Sequence, residues 1–225
     1  MLLKNLLKKE FGNNLYLNYP MKKLTTMAVG GPAKFLVQVQ TIDDLKKAIG
    51  YAKKFHIAWC MIGEGSNLVV SDKGYEGLII KNEIKYLEMA GKKVKCGAGN
   101  NLLGFIKMLN KKGWGGMERM AGIPGTVGGA IYGNAGAYGQ EIKDHLRKVV
   151  VFDGKNFRKL GKSQCGLGYR ESIFKTKKGW VILGAEFDLK KELPTKLQKI
   201  SRDIIKLRET KYWPGLKCPG SFFIG

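Results

Sequence analysis

Apolar positions along this chain follow two periods. Leucines and Phe11, interrupted by Lys4, Lys8 and Lys9, predict a short helix over Leu2–Phe11, with a loop through Gly12-Asn13-Asn14 after it. Phe35, Val37 and Val39 alternate with polar neighbours and predict a strand over Lys34–Gln40. Thr41-Ile42-Asp43-Asp44 has the look of a helix start, with Thr41 as N-cap and acid in the first turn. Leu45, Ile49 and Ala52 carry that helix's apolar face to about Lys54. Strands are expected at Ile57–Ile62, Leu68–Ser71 and Leu78–Lys81, completing a small β-α-β lobe that ends near Lys81.

The second half repeats the grammar with different elements. Tyr86–Cys96 reads as a hairpin turning at Ala90-Gly91-Lys92. A helix is expected over Asn101–Lys112, where Leu102, Leu103, Phe105, Ile106 and Leu109 are spaced for burial. Strands follow at Leu146–Asp153, Asn156–Leu160 and Trp180–Leu189, the first two joined by a tight turn at Asp153-Gly154, and a helix runs from about Thr195 to Glu209. The expected organisation is α+β, with lobes over residues 1–81 and 82–193 and the opening of a third part over 194–225.

Composition narrows the class. The chain has 225 residues, 44% hydrophobic and 26% charged, as in a soluble globular protein. No run approaches the roughly 18 apolar residues of a membrane helix, and the N-terminal leucines lack a signal peptide's apolar core. A cytoplasmic protein without a membrane partner is expected. A net charge of +22 fits a nucleic-acid footprint. However, only six of the 40 basic residues are Arg, the lysines are scattered, and no recognition motif accompanies them. A solvated lysine surface, with a field that also attracts small polyanions, is the better account. Cys60, Cys96, Cys165 and Cys218 lie far apart, and with only His56 and His145 beside them no zinc-ligand spacing exists. They are expected to be reduced and mostly buried, with no metal.

The stretch from Met120 to Gly139 is the densest signal. Glycines at 122, 125, 128, 129, 133, 136 and 139 accompany Pro124 and almost no charge. Glycine is costly to order, so such a cluster points to positive φ or to backbone pressed where no Cβ fits. Ile123, Val127, Ile131 and Tyr138 argue against a linker. Two readings remain: a buried, tightly turning segment against a flat or phosphate-bearing ligand, or a glycine-rich turn without one. Gly63-Glu64-Gly65-Ser66-Asn67 opens like a dinucleotide fingerprint but lacks the third glycine, and strand rather than helix is expected after it. It is either a phosphate-holding nest or a plain hairpin turn. Thr25–Ala33 adds a third small-residue loop, and the three could converge on one extended ligand.

Taken together, Thr25–Ala33, Gly63–Leu68 with Asp72, and Ala121–Gly139 resemble the bacterial UDP-N-acetylenolpyruvoylglucosamine reductases. Tyr169-Arg170-Glu171-Ser172-Ile173-Phe174 resembles that family's Tyr-Arg-x-Ser-x-Phe segment, and Gly220-Ser221-Phe222-Phe223 its Gly-Ser-Phe-Phe segment. Five motifs in register, over about residues 15 to 223, make the resemblance specific.

The resemblance implies a two-lobed FAD-binding fold of the vanillyl-alcohol-oxidase type. It implies NADPH as reductant and reduction of the enolpyruvyl ether of UDP-N-acetylglucosamine to UDP-N-acetylmuramate for peptidoglycan. FAD contacts would come from Gly63, Gly65, Ser66, Asn67, Gly122, Ile123, Pro124, Gly125, Thr126, Gly128, Gly129, Asn134, Gly136, Ala137 and Tyr138, chiefly through backbone N–H groups. Arg170 would hold the substrate carboxylate, Tyr169 would flank it, and Ser221 would donate the proton. Ser172 would cap or support the loop. UDP-sugar and NADPH are the expected partners of a monomeric chain, with no nucleic acid. The family continues for some seventy further residues that include an assisting glutamate, and its Lys-Asn after the second Phe is Ile224-Gly225 here. A C-terminally truncated member is therefore expected, one that binds FAD better than it turns over. The alternative is a non-catalytic flavin-binding relic.

Overall fold

The computed structural model describes residues 2–212 and 215–218. Its contacts divide the chain into two compact units, one running to Ile84 and the other from Lys85 to Leu216.

The first unit contains α1 (Leu2–Phe11), β1 (Leu15–Pro20), β2 (Pro32–Val39), α2 (Ile42–Lys54), β3 (Trp59–Ile62) and β4 (Tyr75–Asn82). The sheet order is β1-β2-β4-β3, with β1 antiparallel to β2 and the other neighbours parallel. β2 and β4 are buried along near-continuous apolar runs, Phe35–Val37 and Leu78–Ile80, as parallel strands covered on both faces require. α2 starts on a capping box: Asp44 N donates to Thr41 Oγ1 at 3.1 Å and Thr41 N to Asp44 Oδ2 at 3.0 Å. Its buried Leu45, Ala48, Ile49 and Ala52 follow the helical period.

Three expectations for this unit change. Residues 15–20 form a strand, which the sequence concealed because β1 is an edge strand with no fully buried position and a break at Asn18, φ +47°. Leu68–Ser71 is not a strand. It lies in the connection from β3 to β4, where the Ser71 carbonyl accepts from Gly31 N and Gly74 N and Val69 is 68% exposed. The Gly63–Asn67 turn is not a hairpin, because β3 and β4 are parallel and the connection must cross the sheet's length to re-enter it.

The second unit runs β5 (Leu87–Ala90), β6 (Lys93–Gly97), α3 (Leu102–Lys111), β7 (Trp114–Gly115), α4 (Val127–Tyr132), β8 (Gly136–Ala137), β9 (Gln140–Glu141) and α5 (Ile142–His145). It continues with β10 (Leu146–Phe152), β11 (Phe157–Gly161), α6 (Ile173–Thr176), β12 (Val181–Asp188), β13 (Lys190–Lys191) and α7 (Pro194–Lys211). An antiparallel sheet, β11-β10-β12-β6-β5, packs its buried face on α3 and α4 through Val94, Ile106, Val127, Ile131, Val149, Ala185 and Phe187. Opposite that core, Lys148, Glu186, Lys95 and Glu88 stand in one cross-strand row of alternating sign. Such ladders help keep a lysine-rich surface solvated without gathering it into a stripe. α7 belongs to this unit: Asn110 on α3 donates to Ser201 Oγ at 2.7 Å, and Ser201 donates on to the Glu118 carbonyl at 2.9 Å.

Candidate functional site

Two of the three glycine loops interlock within the first unit. Thr26 N donates to the Gly65 carbonyl, and a Cβ on Gly65 would lie 2.3 Å from the Leu24 carbonyl oxygen. A Cβ on Gly31 would lie 2.1 Å from the Asp72 carbonyl oxygen. Thr25, almost fully buried, closes its own loop by donating to Val29 O at 2.7 Å and accepting from Val29 N at 3.2 Å. Gly65 and Gly31 are therefore glycines for protein packing. Gly63 and Ser66 are half-buried and Asn67 is exposed, directly after β3. A separate cavity of about 400 Å³ is lined by Pro20, Lys22, Ala28–Pro32 and Asp72.

In the second unit the glycine-rich stretch is not one turning loop. It contains α4, a correction to the expected structure that glycine's low helix propensity explains. Thr126 is the N-cap and accepts from Gly129 N at 3.1 Å; Val127 N and Gly128 N donate to Asn100 O and Ala98 O, both at 2.9 Å. The amides that open this helix are thus engaged inside the protein. Gly122 and Gly125 adopt φ of +85° and +118°, and Arg208 Nε donates to the Gly122 carbonyl at 3.1 Å. Ile123 is half-buried, Pro124 exposed, and Gly125 and Thr126 are buried.

The stretch's far end meets the arginine segment. Gly168 and Glu171 exchange backbone hydrogen bonds at 3.2 Å across a tight turn whose central residues are Tyr169 and Arg170. Arg170 sits at φ +55°, where glycine or asparagine is favoured and a larger side chain is strained. Tyr169 is 58% exposed and Arg170 is exposed, its guanidinium 5.8 Å from the tyrosine ring centroid. Among the described residues no acid pairs with that guanidinium. Both residues line a cavity of about 190 Å³ with Asn134, Gly136, Ala137, Tyr138, Gly139, Gln140 and Glu141. Six of the residues singled out from sequence as cofactor or catalytic candidates, Asn134, Gly136, Ala137, Tyr138, Tyr169 and Arg170, thus share one concavity. Ser172 is buried and donates to the Tyr132 carbonyl at 2.6 Å, so it supports the turn rather than capping α6. Ser221 lies outside the described residues.

Sequence reasoning missed Gln140 and Glu118, which fix the cavity wall. Buried Glu118 accepts from Gly116 N at 2.6 Å and from Gln140 Nε2 at 2.9 Å, and Gln140 Oε1 accepts from Arg119 N at 2.7 Å. No local pattern marks this bracket, because its ends lie 22 residues apart. The thiols are less buried than expected: Cys96 and Cys165 are buried, while Cys60 is exposed and Cys218 intermediate. Burial pushes the Cys96 thiol up to about 12 and Cys165 to about 11, so neither offers a thiolate. Among the described residues no group of three His, Cys, Asp or Glu could hold a metal ion, and no helix is long and apolar enough to cross a membrane.

The glycines test whether a flat cofactor fits. A Cβ at Gly128 would lie 2.9 Å from Ala98 Cβ, and one at Gly136 2.6 Å from Glu141 Cγ, so these positions are closed by the protein itself. Gly129 and Gly133 differ. Neither has positive φ, and a Cβ at either would meet nothing closer than 3.4 Å. Gly129 lies inside α4 and Gly133 is its C-cap, one turn on, with exposed Tyr132 between them; at Gly129 a glycine inside a helix costs about 1 kcal/mol against alanine. Bare backbone that the protein's packing does not require suits close approach by a planar ligand.

Residues 33–156 match the FAD binding domain family. The chain is 40% identical over 204 residues to the UDP-N-acetylenolpyruvoylglucosamine reductase of Solibacter usitatus, covering 91% of this chain and 65% of that protein. The like-named protein of Bacillus subtilis is 36% identical over 227 residues, covering 98% of this chain and 74% of that one. The chain therefore spans about two thirds to three quarters of these relatives' length. Among solved structures, the UDP-N-acetylenolpyruvylglucosamine reductase of Thermus caldophilus superposes with a TM-score of 0.76 at 31% identity, over 92% of this chain and 72% of that one. An alkyldihydroxyacetonephosphate synthase superposes with a TM-score of 0.62 at 14% identity, a likeness of fold alone. The fold is thus the α+β FAD-binding fold, and on the identity shared with its relatives the chain belongs to the UDP-N-acetylenolpyruvoylglucosamine reductase family.

Proposed function

We propose that the chain binds FAD and serves NADPH-dependent reduction of UDP-N-acetylglucosamine enolpyruvate to UDP-N-acetylmuramate, a step in peptidoglycan precursor synthesis. One observation carries this reading beyond family membership: the Tyr169–Arg170 turn and the Gly136–Glu141 wall line the same cavity, with a strained arginine presented there. FAD bound here would supply the hydride-transfer chemistry that links NADPH oxidation to reduction of the substrate alkene. The bare backbone at Gly129 and Gly133 would lie against that cofactor.

The substrate's own chemistry assigns the side chains. Hydride addition to the carbon beyond the one bearing the carboxylate spreads negative charge into that carboxylate. A guanidinium fixed beside it stabilises the charge as it grows, binds both oxygens in one plane and cannot lose its proton. That no acid of the described residues pairs with Arg170 supports this role for it. Tyr169 flanks it as a face or a phenol donor, and Ser221 would give a proton to the carbon next to the carboxylate. Such a transfer to a strongly basic carbon depends on position more than on an acidic hydroxyl.

Arg170→Met tests the assignment. With FAD bound, the flavin absorption should respond to UDP-N-acetylglucosamine enolpyruvate about tenfold more weakly than in the parent chain, in line with one lost charged contact. The response to UDP-N-acetylglucosamine, which lacks the carboxylate, should not change. Equal weakening for both ligands, or for neither, would contradict it.

A further inference from the structure

Asn134 sits in the glycine-rich stretch as though it were one more cofactor contact, but its side chain points to a different task. It is almost fully buried, with φ +40°. Both donors of its amide are engaged: Nδ2 donates to the Gly168 carbonyl at 2.7 Å and to Glu141 Oε2 at 2.8 Å. Oδ1 accepts from Lys143 N at 3.0 Å. No N–H of this amide remains for a ligand.

Gly168 is the residue that opens the Tyr169–Arg170 turn, and Ser172 is the residue that follows its close. Ser172, 3% exposed, donates to the Tyr132 carbonyl at the end of α4, one of the carbonyls a helix C-terminus leaves without an intrahelical partner. Lys175 Nζ donates to the Arg170 carbonyl within the turn. The turn is therefore pinned on both flanks to residues 132 and 134. It is tied from inside by Lys175, while its central residue holds a backbone conformation that arginine disfavours.

We infer that Asn134 and Ser172 are positioning residues for Arg170, fixing its strained turn against the glycine-rich segment rather than touching cofactor or substrate. The idea rests on the reading of Arg170 as the carboxylate-binding cation. Loss of either anchor frees the turn to relax toward negative φ, which re-aims the guanidinium and leaves the cofactor's surroundings as they were.

Trypsin reads the turn directly, since it cuts after Arg170, and needs no cofactor. Asn134→Gly removes the amide yet suits the positive φ; Ser172→Ala removes one hydroxyl. On the full chain without FAD, each variant should speed cutting between Arg170 and Glu171 about tenfold relative to cuts elsewhere. If Asn134→Gly accelerates every cut through general unfolding, Ser172→Ala decides. Unchanged relative cutting in Ser172→Ala overturns the proposal. FAD affinity, followed by flavin fluorescence, should stay within about twofold in both variants, and a loss in Asn134→Gly with an intact turn would instead make Asn134 a cofactor contact. Enolpyruvyl affinity should fall about tenfold wherever the turn loosens, and wild-type affinity with a loosened turn overturns the positioning role. If Arg170→Met leaves that affinity unchanged, the reading of Arg170 fails, and the tryptic cut still decides whether the two anchors hold the turn.

Discussion

Adjacent residues of one type can do unrelated work, and Gly128 and Gly129 show it. Gly128 faces Ala98 at a distance that admits no Cβ, whereas Gly129 faces only the hydroxyl of its own N-cap. Gly128→Ala should lower stability by about 1–3 kcal/mol through overpacking. Gly129→Ala should leave stability unchanged or raise it by about 0.5–1 kcal/mol, as alanine does in a helix, while weakening FAD binding. Urea unfolding and flavin-fluorescence titration of both variants check this. A destabilised Gly129→Ala with full flavin affinity would mean that its bare backbone serves the fold. The sequence marks all seven glycines alike because positive φ at 122, 125 and 139, close approach at 128 and 136, and bare backbone at 129 and 133 have one composition. Asn134 was equally opaque: it reads as part of the motif around it, but its partners Glu141 and Gly168 lie seven and 34 residues away.

Elements with local causes were legible, and those with distant ones were not. α2 could be read to within a residue because its cap, its first-turn acids and its apolar face all lie inside residues 41–54. The same locality sets a prediction: Thr41→Ala should cost about 1 kcal/mol, measured as a shift of the urea midpoint without a change of slope. No shift would mean that burial of Leu45, Ala48, Ile49 and Ala52 alone holds the helix. α4 escaped notice because glycine at 128 and 129 hides a helical spacing that Val127, Ala130 and Ile131 do carry, all three buried. β1 escaped because an edge strand has no buried row to reveal its period. Leu68–Val70 misled in the other direction, since three apolar residues in sequence form a strand only where a neighbouring strand receives their hydrogen bonds.

At the scale of the whole molecule, the +22 charge was the loudest number and the least informative. Rows such as Lys148, Glu186, Lys95 and Glu88 show part of it arranged as an alternating surface. The motifs that carry the family resemblance lie instead in small-residue loops and the arginine turn, which their order picked out where bulk composition could not. The family is legible at 36 to 40% identity, while the geometry of the arginine turn is legible only in three dimensions. Flavin binding by this chain is the claim on which every site assignment depends. The most direct test is an anaerobic absorption spectrum of the purified chain after equilibration with FAD and removal of the excess. The account predicts retained flavin in a single equivalent, whose band is perturbed by UDP-N-acetylglucosamine enolpyruvate in the parent chain and far less in Arg170→Met. A folded chain that retains no flavin would contradict it.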